Sequence, residues 1–221
     1  MYRLIPVRKF LLLKVDFTIF AADHFGHNNI LQMGDYFSDQ EYAGADYSNA
    51  ALPKGDYENC IFTHCNLSNC DLSGVNFIEC EFEDCDFSMA KIANTAFREA
   101  TFKSCKMLGL RFENCDRLLF SAGFEACHLN LSSFYQLKLK NTIFGNCSLK
   151  EVDFTETDLT NSTFSNCDFS GATFDHTILE KADLRTSYNF SIDPEKNRIK
   201  QAKFSLSSVA GLLDRYNIEI E

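Results

Sequence analysis

"ENCIFTHCNLSNCDL", Glu58 to Leu72, sets Cys60, Cys65 and Cys70 five residues apart with His64 between the first two. Three cysteines and a histidine this close suggest a metal site, yet structural zinc motifs space their ligands about two to four residues apart in paired clusters. The interval of five is the informative feature. Phe62, Leu67 and Leu72 each follow a cysteine by two residues, so the stretch is one unit written three times: small, polar, large and apolar, polar, any.

Steps of five backward from Phe62 reach Tyr57, Leu52 and Tyr47, and forward steps reach Leu67, Leu72, Phe77, Phe82, Phe87, Ile92, Phe97, Phe102, Met107 and Phe112. The next step lands on Arg117. Two residues later the series restarts at Leu119 and runs by fives through Phe124, Phe144 and Phe164 to Leu184. A period of five matches neither the ~3.6 of a helix nor the ~2 of a strand. The skewed composition, with 22 Phe, 10 Cys and no Trp, fits a pattern repeated many times.

The units "CNLSN", "CDLSG", "CDFSM", "TDLTN", "CDFSG" and "ADLRT" resemble the pentapeptide repeat family, over Ala45 to Thr186. The resemblance implies an all-β fold, a right-handed quadrilateral β-helix in which each unit forms one side and its small and central residues point inward. Twenty residues would then complete a coil. Cys65, Cys85 and Cys105 form one column at that spacing and Cys127, Cys147 and Cys167 another. If the two extra residues near Arg117 bulge out without changing which side comes next, both triplets join one ladder, beside a column of Phe62, Phe82, Phe102, Phe124, Phe144 and Phe164. Seven coils at ~4.8 Å each would make a rod of roughly 35 Å.

The sequence divides into an N-terminal leader and cap over 1–44, repeats over 45–206 and a tail over 207–221. Residues 1–33 open with a basic stretch and an apolar patch, but Lys14 and Asp16 interrupt the patch, so a leader is expected rather than a secretory signal. A start upstream of Met33 that does not belong to the native protein is an alternative. Tyr36, Phe37 and Tyr42 are candidates either for a cap or for a degenerate first coil. In the tail, "SVAGLLDRYN" reads as a short α-helix capped by Ser207 or Ser208, with Val209, Leu212, Leu213 and Tyr216 on one face. That face is expected to cap the last coil, to pair with a second copy, or both. The family resemblance supports pairing, since quinolone-resistance members dimerise through C-terminal segments.

All ten cysteines fall on the small inward position and are expected to be reduced packing residues, without metal or cofactor. His64, His128 and His176 fall on outward positions, while His24 and His27 lie in the leader. The outward Ser and Thr recur too regularly to single out a nucleophile, and no phosphate-binding glycine loop or nucleophile elbow is present. The reading is a non-enzyme in the cytoplasm.

Charge is the remaining signal. The chain carries −10, and 21 acidic against 11 basic residues between Ala45 and Leu184 place that charge on the repeats. Repulsion from nucleic acid and anionic membranes follows, and a basic protein partner is expected. The dense clusters are Glu79, Glu81, Glu83, Asp84 and Asp86, and Glu151, Asp153, Glu156 and Asp158. Summed over a 35 Å rod, the acidic charge is about half that of duplex DNA, which carries one charge per ~1.7 Å. The resemblance implies a DNA mimic that binds DNA gyrase or topoisomerase IV and modulates quinolone sensitivity. The alternative is a structural or scaffolding repeat protein with another protein partner.

Overall fold

The computed structural model describes residues 35–49 and 51–219. The leader over 1–33, with its signal-like patch, His24 and His27, lies outside the described residues. The chain from Asp35 winds as a parallel β-solenoid with four faces per coil, here A to D. Face A stacks β1 (Asp35–Ser38), β3 (Gly55–Glu58), β5 (Asn76–Ile78) and β7 (Ala96–Arg98). Face B stacks β2 (Glu41–Ala43), β4 (Ile61–Thr63), β6 (Glu81–Glu83), β8 (Ala100–Lys103), β9 (Ala122–Glu125), β10 (Ile143–Gly145) and β11 (Thr163–Ser165). Faces C and D are columns of single bridges, such as Asn66 to Asp86 to Lys106 on C and Asp71 to Lys91 on D. Tyr57 stands opposite Phe77, and Phe62 opposite Phe82, so 20 residues make one coil.

The pentad folds this way for reasons that can be read at each position. The large central residue turns inward: Phe62, Leu67, Leu72 and Phe77, one per face, are all 0% exposed. The fifth position is a corner with positive φ, as at Asn69 (φ 56), Asn94 (φ 55) and Asn161 (φ 60). At Asn69 the corner closes by a Cys70 N–H donating to the Leu67 carbonyl at 3.1 Å. That bond with φ > 0 at the third residue is a type II turn, which favours Gly or Asn there. The second position is often Asp because its carboxylate accepts the N–H two residues on, as Asp71 does from Ser73 and Asp86 from Ser88, both at 2.9 Å.

The small inward residue does more than leave space. Most hydroxyls and thiols there donate to the carbonyl of the preceding side's central residue one coil back. Cys85 reaches Phe62 O, Cys105 reaches Phe82 O, Cys127 reaches Phe102 O, Cys147 reaches Phe124 O and Cys167 reaches Phe144 O, at 3.3–3.6 Å. Ser187 continues the column onto Phe164 O, and Thr157 and Thr177 repeat the bond at another corner. The single cysteine ladder expected from the 20-residue spacing is therefore present, and all ten cysteines are free and buried. Burial pushes the thiols of Cys60, Cys65 and Cys80 up, Cys80 to about 12. Beside the ladder the phenylalanines of face B stack at 4.9–5.4 Å from Phe62 to Phe164.

The two extra residues replace one strand of face A. Phe102 pairs with Phe124 and Ala100 with Ala122, so the insertion leaves the following faces in order. A short 3-10 turn at Phe112–Asn114 leads into it, and the Ser121 N–H returns to the Phe97 carbonyl at 2.9 Å. Here the expected pentad phase fails locally. Leu119 is not the inward residue: it sits at φ 62 and is 69% exposed, beside Leu118 at 70%. Phe120 fills the gap instead, 6.3 Å from Phe97 and 6.1 Å from Phe112. The insertion rotates the chain by one position so that the following aromatic, not Leu119, faces the core.

At the start, β1 and β2 pair in register with β3 and β4, and Phe37 stacks on Tyr57 at 4.6 Å, so this segment is a first coil. The ladder thus begins ahead of Ala45. At the other end, Lys203 pairs with Asp183 and brings Phe204 over the core. The expected α-helix does not form. Val209–Leu212 and Asp214–Tyr216 are two 3-10 turns, broken at Leu213 and stopped by Asn217 at φ 47. Gly211 explains the choice. It lies so close to Phe190 that a Cβ would sit 2.1 Å from the Phe190 carbonyl oxygen, and its own carbonyl accepts the Ile192 N–H at 2.9 Å. Glycine and a short segment already disfavour an α-helix, and contact with the last coil decides the outcome.

Candidate protein-binding surface

The coil geometry sorts the acidic residues. Glu79 is a corner residue between faces A and B, Glu81 and Glu83 project from β6, Asp84 is the corner between B and C, and Asp86 lies on face C. The second cluster occupies the other half of the coil. Glu151 is the corner between C and D, Asp153 lies on face D, Glu156 is the corner between D and A, and Asp158 lies on face A. The two clusters are therefore on opposite sides of the coil stack and make no common patch.

They also differ in what the carboxylates do. Asp153 and Asp158 accept the N–H groups of Thr155 and Thr160, and Lys140 lies 3.2 Å from Asp158. Glu156 accepts from Gln136 at 2.8 Å. Several aspartates elsewhere in the repeats are held in the same way. Hydrogen bonds from Ser73, then Lys54, hold Asp71 at about 2. Against an opposing burial penalty, Ser170, Asn189 and Lys150 bring Asp168 to about 2 as well. Much of the aspartate content is turn chemistry.

The first cluster is different because the columns add to it. Asp39, Asn59, Glu79 and Glu99 share one corner, Glu41 and Glu81 share one row of face B, and Glu58 sits beside that corner on face A. Asp39, Glu41, Glu79, Glu81, Asp84 and Glu99 are exposed, and Glu58 and Glu83 half-buried. Seven of the eight thus lie along the A/B edge or on face B beside it over four coils, and Asp84 stands at the far corner of face B. Two cations are interspersed, Lys103 on Glu83 and Arg98 on Asp116, with His64 3.5 Å from Asp84. Asp39, Glu41, Glu58 and Glu99 were not singled out by reading along the chain; reading down the 20-residue columns collects them.

Residues 75–154 and 111–188 match the model of a pentapeptide repeat region, and residues 43–79 and 58–88 match that of eight-copy pentapeptide repeats. The chain belongs to the pentapeptide repeat family. This pentapeptide repeat protein has no match among curated protein sequences. Among solved structures it is similar to HetL, a pentapeptide repeat protein involved in heterocyst differentiation regulation from Nostoc sp. strain PCC 7120. Identity is 18%, coverage is 79% of this chain and 89% of that one, and the TM-score is 0.59, a likeness of fold. Full-length QnrB1, a plasmid-mediated fluoroquinolone resistance protein, aligns at 18% identity over 83% of this chain and 100% of its own, with a TM-score of 0.49. That looser superposition adds nothing to the assignment.

The tail residues expected to cap or pair divide between two environments. Leu212 and Leu213 are half-buried, with Leu212 against the core, whereas Val209 and Tyr216 are exposed. Arg215 reaches Asp193 and Glu195 at 2.6 and 2.8 Å, and the Tyr216 hydroxyl donates to Glu195 at 3.1 Å, so the tail is fastened across the last coil. His64, His128 and His176 are exposed, as expected. Among the described residues no helix is long and apolar enough to cross a membrane.

Proposed function

We propose that this pentapeptide repeat protein is a non-catalytic binding protein that presents its acidic A/B edge to a basic protein surface, one built to bind DNA. The observation that carries this reading is linear charge density. Eight carboxylates, seven along the A/B edge and the adjoining face B and Asp84 at the corner beyond, occupy four coils, and four coils at ~4.8 Å span roughly 14 Å from first to last. Duplex DNA places about eight charges in that length. Averaged over the whole molecule the charge is half of this, but the edge is locally DNA-like before its two cations are subtracted. DNA gyrase or topoisomerase IV is the partner that the family resemblance points to, with modulation of quinolone sensitivity as the consequence. Glu79, Glu81 and Glu83 belong to this contact, Asp84 borders it at the far corner of face B, and Asp86 lies beyond that corner on face C; Glu151, Asp153 and Glu156 lie on the other side of the stack, with Asp158 on face A, and would meet a partner only if it wrapped the stack.

Exposed Leu206, Val209, Tyr216 and Ile218 at the tail favour a homodimer formed there, and ten unpaired thiols fit a cytoplasmic location. The family resemblance ties quinolone protection to protruding loops, and the insertion here is only two residues, which favours a structural or scaffolding role with a different protein partner. A supercoiling assay with purified gyrase, with and without ciprofloxacin, separates the two. Inhibition or protection supports the topoisomerase reading; no inhibition, no protection and no complex at low salt would sink it, leaving the scaffold.

A further inference from the structure

The corner between faces C and D, diagonally across the stack from the acidic edge, has the reverse chemistry. Met89 and Leu131 stand there at φ 59 and φ 61, with Gly109 (φ 69) in the coil between them. The other residues at positive φ along this corner include Asn69, Glu151 and Gly171. A bulky apolar side chain at positive φ is backbone strain that Asn or Gly would relieve. Met89 and Leu131 are also 60% and 54% exposed, so burial does not offset the strain. The column is nonetheless regular: the Met89 N–H donates to Leu108 O, Gly109 N–H to Asn130 O and Leu131 N–H to Lys150 O, at 2.9–3.1 Å.

The side chains merge into one ridge. Leu108, 43% exposed, lies beside Gly109, and the Met89 thioether lies where a Cβ on Gly109 would come within 3.0 Å of it. Cations flank the ridge on both sides. Lys91 and Arg111 are exposed on face D and Lys106 and His128 on face C. The carboxylates in the same span are engaged: Asp86 accepts the Ser88 N–H, and Glu113, with a side chain 8% exposed, pairs with Arg111 at 2.8 Å. A chain of net charge −10 thus carries a strained apolar ridge with a basic border.

We propose that this ridge is a docking surface for an acidic amphipathic segment of a partner protein, whose apolar side chains cover Met89, Leu108 and Leu131 while its carboxylates meet Lys91, Arg111 and Lys106. Charge complementarity selects an acidic occupant, and the apolar ridge selects one with an apolar face. With the acidic edge on the opposite corner, the protein would join a basic partner to an acidic one. The two surfaces are independent.

The test uses the full chain and a fluorescent amphipathic helical peptide of Glu and Leu, with a Lys and Leu twin as control. Anisotropy is expected to detect binding of the acidic peptide, weakened by salt, and not of the basic twin. The variant Met89→Asn/Leu131→Asn supplies residues that the corner backbone prefers. It should melt at the same or a higher temperature yet bind about tenfold or more weakly. Lys91→Glu/Arg111→Glu should also abolish binding, whereas Glu79→Gln/Glu81→Gln/Glu99→Gln should retain it, so failure here is separable from failure of the acidic-edge reading. Equal affinity of the asparagine variant, or equal binding of the basic twin, overturns the proposal. So does concentration-dependent self-association in sedimentation velocity that the asparagine variant abolishes, which would assign the ridge to a second copy.

Discussion

Phe144→Ala removes a ring from the middle of the face B column. The side chain is 0% exposed and touches four rings: Phe124 and Phe164 stack on it at 5.0 and 4.9 Å, and Phe134 and Phe154 meet it edge-on at 6.0 and 6.4 Å. Truncation of a buried Phe costs about 3–5 kcal/mol. With coils held rigidly by the ladder on either side, little collapse into the void is possible, and each aromatic pair adds about 0.5–1.5 kcal/mol beyond its area. The loss should therefore sit near the top of the range, about 5 kcal/mol. Phe37→Ala at the first coil removes a half-buried ring with one stacked partner, Tyr57 at 4.6 Å. A stack in which each coil touches only its neighbours predicts about half the loss there, roughly 2.5 kcal/mol. Urea unfolding followed by circular dichroism gives the total for each variant. Native-state hydrogen exchange locates it, with protection lost in coils adjoining Phe144 but only in the first coils for Phe37. Equal losses, or a loss below about 2 kcal/mol for Phe144→Ala, would refute nearest-neighbour stacking as the source of stability.

Asn161→Val places a β-branched residue at φ 60 and should lower stability by about 1–2 kcal/mol in thermal melts, while Asn161→Gly stays within about 0.5 kcal/mol of wild type. Asp168 is held at about 2, below its ordinary 3.8, so its contribution is present above pH 3.8 and is lost as pH falls toward 2. Asp168→Asn, which keeps an acceptor for the Ser170 N–H, should flatten that part of the stability–pH curve, and an unchanged slope would count against the assignment. All ten thiols are buried, so Ellman's reagent should find essentially none in the native protein and all of them after denaturation, whereas one rapidly reacting thiol in the native state would contradict the packing role.

The architecture was legible because its cause repeats. Central residues such as Phe62, Phe82 and Phe102 meet their own kind at 4.9 Å every 20 residues, and that period is printed in the sequence. Three features were less legible. The fifth position of the pentad reads as unrestricted along the chain, yet the corner requires positive φ; its many asparagines are the sequence trace of that demand. The insertion moves inward facing from Leu119 to Phe120, a choice set by the rings of Phe97 and Phe112 that meet there. The tail becomes two 3-10 turns because Gly211 packs on Phe190, a contact across the end of the stack that helical periodicity does not contain. For the surface, runs of acidic residues along the chain mark clusters that wrap around the stack, whereas a partner lying along the stack meets columns. The acidic edge joins Glu79 to Asp39 and Glu99, and leaves Glu151 and Glu156 behind it.

Binding of purified DNA gyrase to the immobilised full chain across a salt series, with variants on both sides of the stack, tests the acidic edge most directly. Contact through the acidic edge should give a complex that weakens steeply with salt, weakens about tenfold or more in Glu79→Gln/Glu81→Gln/Glu99→Gln, and is unchanged in Glu151→Gln/Glu156→Gln. A complex indifferent to salt, or one that the two variants weaken equally, would contradict it.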